Sequence, residues 1–314
     1  MTTYCLICSA ARSGSTIFDM LLGGHPDATS LGEFSFLGKA LALDQQCTCG
    51  QLVRDCSAWK RVFDRVALER GDDLRDNPYS YRQWDTRASV IIDECQQTLR
   101  YIATAKLRAL RCDLRYFLNK HKVLRPRLPS VLASGVENTA YLYEIIAQEW
   151  NKKIIVDSSK NIHKALALYE AFPDKVKIVY LTRDGRGVFF SRRSSGFSRK
   201  ESLKGWRRYN IRALNLLERN ISTESLFQLK YEELSSEPEE SLKEICRFLS
   251  IPFDRKMTDL KKGERHMVNG NDTRFKSNQK ICLDERWRES LSGDDLDYFY
   301  ANGRSLNQKL NYQI

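Results

Sequence analysis

The sequence predicts an α/β fold, a parallel sheet flanked by helices, with a helical insertion. Three observations carry this. Short apolar runs at Tyr4 to Cys8, Lys153 to Val156, Lys177 to Leu181 and Leu226 to Leu229 alternate with helix-forming stretches, the rhythm of βαβ units. Polar clusters follow three of these runs, at Ser9 to Thr16, Asp157 to Lys160 and Arg183 to Gly187. In such sheets ligands gather at the carboxyl ends of the strands, so all three clusters are expected on one edge. Residues 57–125, in contrast, are rich in charge and helix formers, with no Gly or Pro between Tyr81 and His121, and read as helices added to the sheet. The chain is expected to form one domain over 1–314, with the helical insertion spanning 57–150.

Taken in order, the first element is the run Tyr4 to Cys8, followed by Ser9-Ala10-Ala11-Arg12-Ser13-Gly14-Ser15-Thr16 and a helix-like segment from Ile17 to Leu22. Strand, tight loop and helix N-terminus together make an anion cradle. Free N–H groups at a helix start point outward, the helix dipole adds positive potential, and small residues admit an anion close to the main chain. Arg12 adds a fork of donors, and Ser13, Ser15 and Thr16 add hydroxyls around Gly14. Laid over the Walker A pattern, Gly14 and Thr16 match, Ser9 stands at the first Gly, and Ser15 stands where an NTPase needs Lys. A different phosphorylated ligand is therefore expected.

Gly23-Gly24-His25-Pro26 ends the first helix, and Leu31-Gly32-Glu33 puts a carboxylate on a second connection beside the first loop. Cys47-Thr48-Cys49-Gly50 with Cys56 is a cluster of thiols. Metal binding there would need a fourth ligand from elsewhere, and C-x-C is not the usual C-x2-C knuckle, so buried structural thiols are the expectation, with metal or redox roles as alternatives. From Arg100 through Arg127 there are nine Lys or Arg and one acidic residue, Asp113; this is either a solvated helix face or a surface that collects an anionic acceptor. Pro126 and Pro129 close it, a linker-like Ser130 to Gly135 follows, and a helix resumes from Tyr141 to Trp150. Beyond Asp157-Ser158-Ser159-Lys160 come a helix from Ala165 to Phe172, the third strand, Thr182 to Gly187, and a helix through Ser191. The tail from Gly263 to Gln279 is irregular and polar, a length of connection that usually serves function or is disordered.

Charge and composition bound the partners. The chain of 314 residues carries 51 Lys and Arg against 40 Asp and Glu, a net charge of +11, which favours anionic ligands without choosing among them. No basic leader with a long apolar region opens the sequence, and no stretch approaches the roughly 18 apolar residues of a membrane span. A cytoplasmic location is expected, and the nine cysteines read as thiols of a reducing compartment. The oligomeric state is left open.

These motifs together resemble the sulfotransferases that use 3′-phosphoadenosine 5′-phosphosulfate (PAPS). Arg12 to Thr16 is similar to the family's 5′-phosphosulfate loop in its Arg form, as in carbohydrate and tyrosylprotein sulfotransferases and their bacterial relatives. His25-Pro26 followed by Gly32-Glu33 is similar to the same group. The segment Lys177 to Arg193 resembles the 3′-phosphate motif, in which Arg183 and Ser191 hold the ribose 3′-phosphate. Leu229 to Leu234 and Gly270-Asn271 with Arg274 resemble two later elements, the second a loop that closes over the nucleotide. The resemblance covers both ends of the chain and is nearly absent from about 60 to 150. It implies a P-loop NTPase-like three-layer sandwich, PAPS as co-substrate with adenosine 3′,5′-bisphosphate released, no required metal, and no nucleic-acid partner.

The implied chemistry is in-line attack of an acceptor hydroxyl or amine on sulfur, with positioning and charge stabilisation supplied by the protein. The resemblance makes Glu33 the base, with His25 the alternative; Arg12 and Lys160 are the cations around the bridging oxygen, although Ser158 or Ser159 could face the sulfate instead. Trp206, Phe197 and Phe275 are candidates to cover adenine. The competing readings are a P-loop small-molecule kinase and a non-catalytic nucleic-acid binder using the basic 100–127 stretch. The acceptor is expected to be chosen within 57–150 and after Glu33.

Overall fold

The computed structural model describes residues 1–81, 83, 99–119, 124–260, 265–276 and 281–313. In chain order the strands are β1 (Thr3–Ser9), β2 (Ala28–Ser30), β3 (Ile154–Asp157), β4 (Val176–Thr182) and β5 (Leu226–Lys230). The helices are α1 (Ser15–Leu22), α2 (Leu37–Ala42), α3 (Ser57–Arg70), α4 (Leu99–Phe117), α5 (Ser130–Glu149) and α6 (Ile162–Ala171). They continue as α7 (Gly185–Arg193), α8 (Arg199–Asn220), α9 (Tyr231–Ser236), α10 (Pro238–Phe248), α11 (Trp287–Ser290) and α12 (Gly293–Lys309).

Every strand pairing is parallel, in the order β2-β3-β1-β4-β5. Successive side chains of a strand point to opposite faces, and β1 buries both. Tyr4, Leu6 and Cys8 pack with Tyr143 of α5, Leu166 of α6 and Leu217 of α8. Cys5 and Ile7 pack with Phe18 and Leu21 of α1 and Leu242 of α10. Helices thus cover both sides, giving the expected three layers, and each such fully buried aliphatic side chain is worth about 1.5–3 kcal/mol of burial.

Two elements depart from expectation. The linker-like Ser130 to Gly135 is the start of α5, with Pro129 at its N-cap. Leu132, Gly135, Val136, Thr139, Ala140 and Tyr143 are buried at helical spacing, so the small residues serve close packing instead of flexibility, and Thr139 Oγ1 donates to Gly135 O at 2.6 Å. The strand β2 was not anticipated, because Ala-Thr-Ser is too short to display any period. The helices expected between Tyr81 and Lys122 lie partly outside the described residues; within them the chain forms α4. Residues 261–264 and 277–280 of the polar tail also lie outside them. Among the described residues no helix is long and apolar enough to cross a membrane.

Candidate active site

A cleft of about 950 Å³ opens where the loops after β1, β3 and β4 meet, a volume within the range of small-molecule sites. Arg12, Gly14, Ser15 and Thr16 line it from the first loop, Glu33 and Lys160 from the loops after β2 and β3, and Arg183 and Ser191 from the end of β4 and from α7. The polar clusters expected on one edge of the sheet therefore share a single cavity. Two further candidates do not line it. Ser13 is buried, its hydroxyl without a partner among the described residues. Arg274 turns back to donate to Gly270 O at 2.9 Å; burial pushes its guanidinium below the ordinary value, against the charges of Asp272, Cys47 and Glu33.

The loop owes its form to backbone geometry. Gly14 sits at φ 84°, and a Cβ there would lie 2.5 Å from the Tyr231 ring, so the chain can close over that ring only with glycine. As the N-cap of α1, Gly14 contributes no side-chain cap, and no acidic residue occupies the first turn; the dipole of this helix end faces the cleft without a protein anion in its first turn. Arg12 adopts φ 70°, which is uncommon for a residue with a side chain. Its carbonyl accepts from Arg183 Nη1 at 3.0 Å, and its own Nη2 donates to Ser195 Oγ at 3.2 Å. Arg12 and Arg183 are thereby in direct contact.

Glu33 is held by what precedes it. Gly32, at φ 71°, bridges Val268, whose carbonyl would lie 2.5 Å from any Cβ. Leu31 N–H donates to Val156 O, Ser158 N–H to Gly32 O and Val268 N–H to Leu31 O, each at 2.9 Å. The carboxylate of Glu33 then meets Lys160 Nζ at 2.5 Å. Lys160 reaches it from a left-handed backbone position, φ 59°. The serines beside it are committed elsewhere: Ser158 Oγ donates to Asp19 at 2.6 Å, and Ser159 bonds Asp157 through both its N–H and its hydroxyl. Asp157 is itself paired with buried Lys164 at 2.6 Å. Lys160, and neither serine, is the member of that cluster lining the cleft.

Asp19 is fully buried and also accepts from Ser30 Oγ at 2.6 Å. Burial dominates and raises its carboxyl to about 7, although the two serine hydroxyls and the charge of Lys160 oppose the rise. His25, the alternative base, is buried; Asp27 N–H donates to its Nδ1 at 3.0 Å, so Nε2 carries the proton given to Pro252 O at 2.9 Å. Both ring nitrogens are used in shaping the chain after α1.

Arg183, at the end of β4, is 7% exposed. It lies 4.3 Å above the Tyr231 ring and donates to the Asp284 carbonyl at 3.0 Å and carboxylate at 3.2 Å. Asp284 in turn accepts from Arg286 Nε at 2.7 Å. The hydrogen bond from Arg286 first, then the charge and hydrogen bond of Arg183, outweigh burial and hold the Asp284 carboxyl at about 2.

Sequence reasoning missed Asp284, Arg286 and the role of Tyr231, all of which line the cleft. Tyr231 stands in the Leu229 to Leu234 element, whose pattern was visible; Asp284 and Arg286 stand in a tail with no period to mark them. None of the three aromatics proposed for adenine lines the cavity. Trp206 is a core residue packed on Phe299, Phe197 lies under Arg192, and Phe275 under Arg274. Within the basic stretch, Arg115 and Arg125 both pair with Glu170 at 2.7 Å, and Arg111 donates to Arg127 O at 3.0 Å. His266 joins Cys47, Cys49 and Cys56, a grouping the sequence left without its fourth member.

A family model described as Sulfotransferase family matches residues 5–255. Among solved structures, the sulfotransferase domain of the olefin synthase of Synechococcus PCC 7002 is 21% identical with a TM-score of 0.56, over 100% of this chain and 96% of that one. The sulfotransferase domain of the curacin biosynthetic pathway is 18% identical with a TM-score of 0.49, over 100% and 99%. A sulfotransferase from Alicyclobacillus acidocaldarius is 14% identical with a TM-score of 0.43, over 100% and 98%. At these identities the first likeness speaks to fold. No curated protein matches the sequence.

Proposed function

The chain belongs to the sulfotransferase family, and from that premise we propose that it moves the sulfuryl group of PAPS to a hydroxyl or amine of an acceptor, releasing adenosine 3′,5′-bisphosphate. The observation that carries this reading is the shared cavity. Two cationic hollows from distant parts of the chain, Arg12 with the α1 N-terminus and Arg183 with Ser191, border one cleft, and the Glu33 and Lys160 pair borders it too. A nucleotide with anionic groups at both ends needs such a pair of sites.

In this reading the acceptor oxygen or nitrogen attacks sulfur, the bond from sulfur to the bridging oxygen breaks, and Glu33 takes the acceptor proton. Lys160 and Arg12 meet the charge that gathers on the bridging oxygen, and the 5′-phosphate leaves. Glu33 lies in hydrogen-bond contact with Lys160, so base and cation are already neighbours in the cleft. The sulfuryl group carries less charge than a terminal phosphate, and the step as drawn uses no metal.

The test combines turnover and binding. Incubated with PAPS and a panel of hydroxyl and amine acceptors, the protein should release adenosine 3′,5′-bisphosphate, and calorimetry should find that bisphosphate bound. Glu33→Gln should keep bisphosphate affinity within a few-fold while turnover falls by about a hundredfold or more. Equal loss of both would make Glu33 a support for Lys160 instead of a base, and wild-type protein that binds no bisphosphate would overturn the proposal.

A further inference from the structure

A hairpin and a helix start bring three thiols to one histidine, away from the chemistry assigned to the cleft. The hairpin is closed by the antiparallel bridge of Gln46 with Leu52 and by a tight turn in which Gly50 N–H donates to Cys47 O at 2.9 Å. It presents Cys47 and Cys49. Cys56 stands at the N-cap of α3, where the helix dipole favours a thiolate. His266 arrives from the 265–268 segment. Cys47, Cys56 and His266 are buried and Cys49 is exposed.

The distances are those of a coordination shell. Cys49 Sγ lies 3.5 Å from Cys56 Sγ. His266 Nδ1 lies 3.2 Å from Cys56 Sγ and 3.8 Å from Cys47 Sγ. All four ligand atoms fall within 4.8 Å of one another. A tetrahedral ion with bonds of about 2.3 Å to sulfur and about 2.0 Å to nitrogen requires edges of roughly 3.5–3.8 Å. A formed disulfide requires sulfurs about 2.05 Å apart, and a multi-iron cluster needs ligands spread more widely than one ion does.

We propose that Cys47, Cys49, Cys56 and His266 bind a single structural zinc ion. Three thiolates and one imidazole are a closed Cys3His set, with no position left for a water or substrate, so the ion is a staple and not a Lewis acid. The surroundings fix the ligands: Trp59 Nε1 donates to the His266 carbonyl at 2.9 Å, Met267 N–H donates to Thr48 Oγ1 at 3.0 Å, and the Trp150 ring lies 5.5 Å from the His266 ring. Exposed Cys49 gives an entry path.

The staple also reaches the cleft. Two residues beyond His266, Val268 bridges Gly32, directly before Glu33, and the same segment leads into Asn271, which lines the cavity. The ion would tie the 45–56 hairpin to the segment that fixes Glu33. This inference stands on the ligand geometry alone and is independent of the identity of the donor.

The experiment begins with wild-type full-length protein purified from zinc-supplemented growth without chelators. Elemental analysis should give one zinc per chain, and protein grown with cobalt should show the visible bands of a tetrahedral thiolate site. His266→Ala and Cys56→Ala should lose the ion, and His266→Cys, which restores a fourth soft ligand, should retain it. Chelation should lower the melting temperature of the wild type without changing that of His266→Ala. Wild-type protein that contains no zinc, or a Cys49–Cys56 disulfide found by mass mapping, would overturn the proposal, as would zinc content unchanged in both alanine variants.

Discussion

The two arginines of the cleft are in contact, Arg183 Nη1 donating to Arg12 O at 3.0 Å, and differ in what their guanidinium groups hold. That of Arg12 rests on a hydroxyl, Ser195 Oγ at 3.2 Å, beside an α1 N-terminus with no acidic residue in its first turn. That of Arg183 already holds a carboxylate, Asp284, itself shared with Arg286. Arg12 is exposed and offers its charge to solvent; Arg183 is occupied by the protein's own anion. An anionic group arriving at Arg183 has to displace Asp284, whereas one arriving at Arg12 exchanges a neutral hydroxyl. Cationic residues in a motif locate an anion site, but the neighbouring carboxylate sets how strongly that site binds.

The largest expected effect on affinity breaks the comparison at the occupied arginine. Arg183→Ala removes the fork that spans Arg12 O and Asp284, and bisphosphate affinity measured by calorimetry should fall about a hundredfold, close to 2.7 kcal/mol. Affinity unchanged in this variant would mean that the nucleotide does not use the Arg183 end. A smaller effect of opposite sign sharpens the contrast. In Asp284→Asn the guanidinium keeps a neutral acceptor and loses its competitor, so affinity for the same bisphosphate should rise, by about tenfold or less. A fall instead would make Asp284 the residue that aims Arg183, and the two arginines would then differ only in detail.

Much of this was legible in the sequence, and the rest had physical reasons to be hidden. The strands β1, β3, β4 and β5 declare themselves because both faces are buried and the apolar runs are continuous. Arg12, Glu33, Lys160, Arg183 and Ser191 each follow a strand or an apolar run closely, so topology alone brings them to one edge. Asp284 and His266 do not follow strands. They reach the cleft and the cysteine cluster respectively through an irregular tail whose course is set by single contacts, such as Val268 N–H on Leu31 O at 2.9 Å, and no period in the chain announces such contacts. Ser130 to Gly135 misled for a related reason: small residues read as a linker until the close packing of α5 is seen. That Lys160 lines the cleft and Ser158 and Ser159 do not was hidden because Asp19 and Asp157, which engage the serines, are distant in sequence or buried behind the loop.

Ser158 leads to a last prediction, on stability and not on affinity, which contrasts the carboxylates of Asp284 and Asp19. Asp284 is held at about 2 by arginines, so it favours the folded state above its unfolded value near 3.8 and gives up that contribution as pH falls toward 2. Asp19 is raised from 3.8 to about 7 by burial, and its sign is reversed. Between those values the folded protein keeps a proton that the unfolded chain has released, so this group favours folding fully below about pH 4 and ceases to do so as pH rises through 7. Urea unfolding of wild type and Asp19→Asn across that range isolates the group, because Asn accepts from one serine and donates to the other without titrating. The difference in stability between the two should change with pH by at most the slope of one proton, about 1.4 kcal/mol per pH unit. A difference that stays flat from pH 4 to 7 would mean that Ser30, Ser158 and the charge of Lys160 keep Asp19 ionised, as Arg286 and Arg183 keep Asp284.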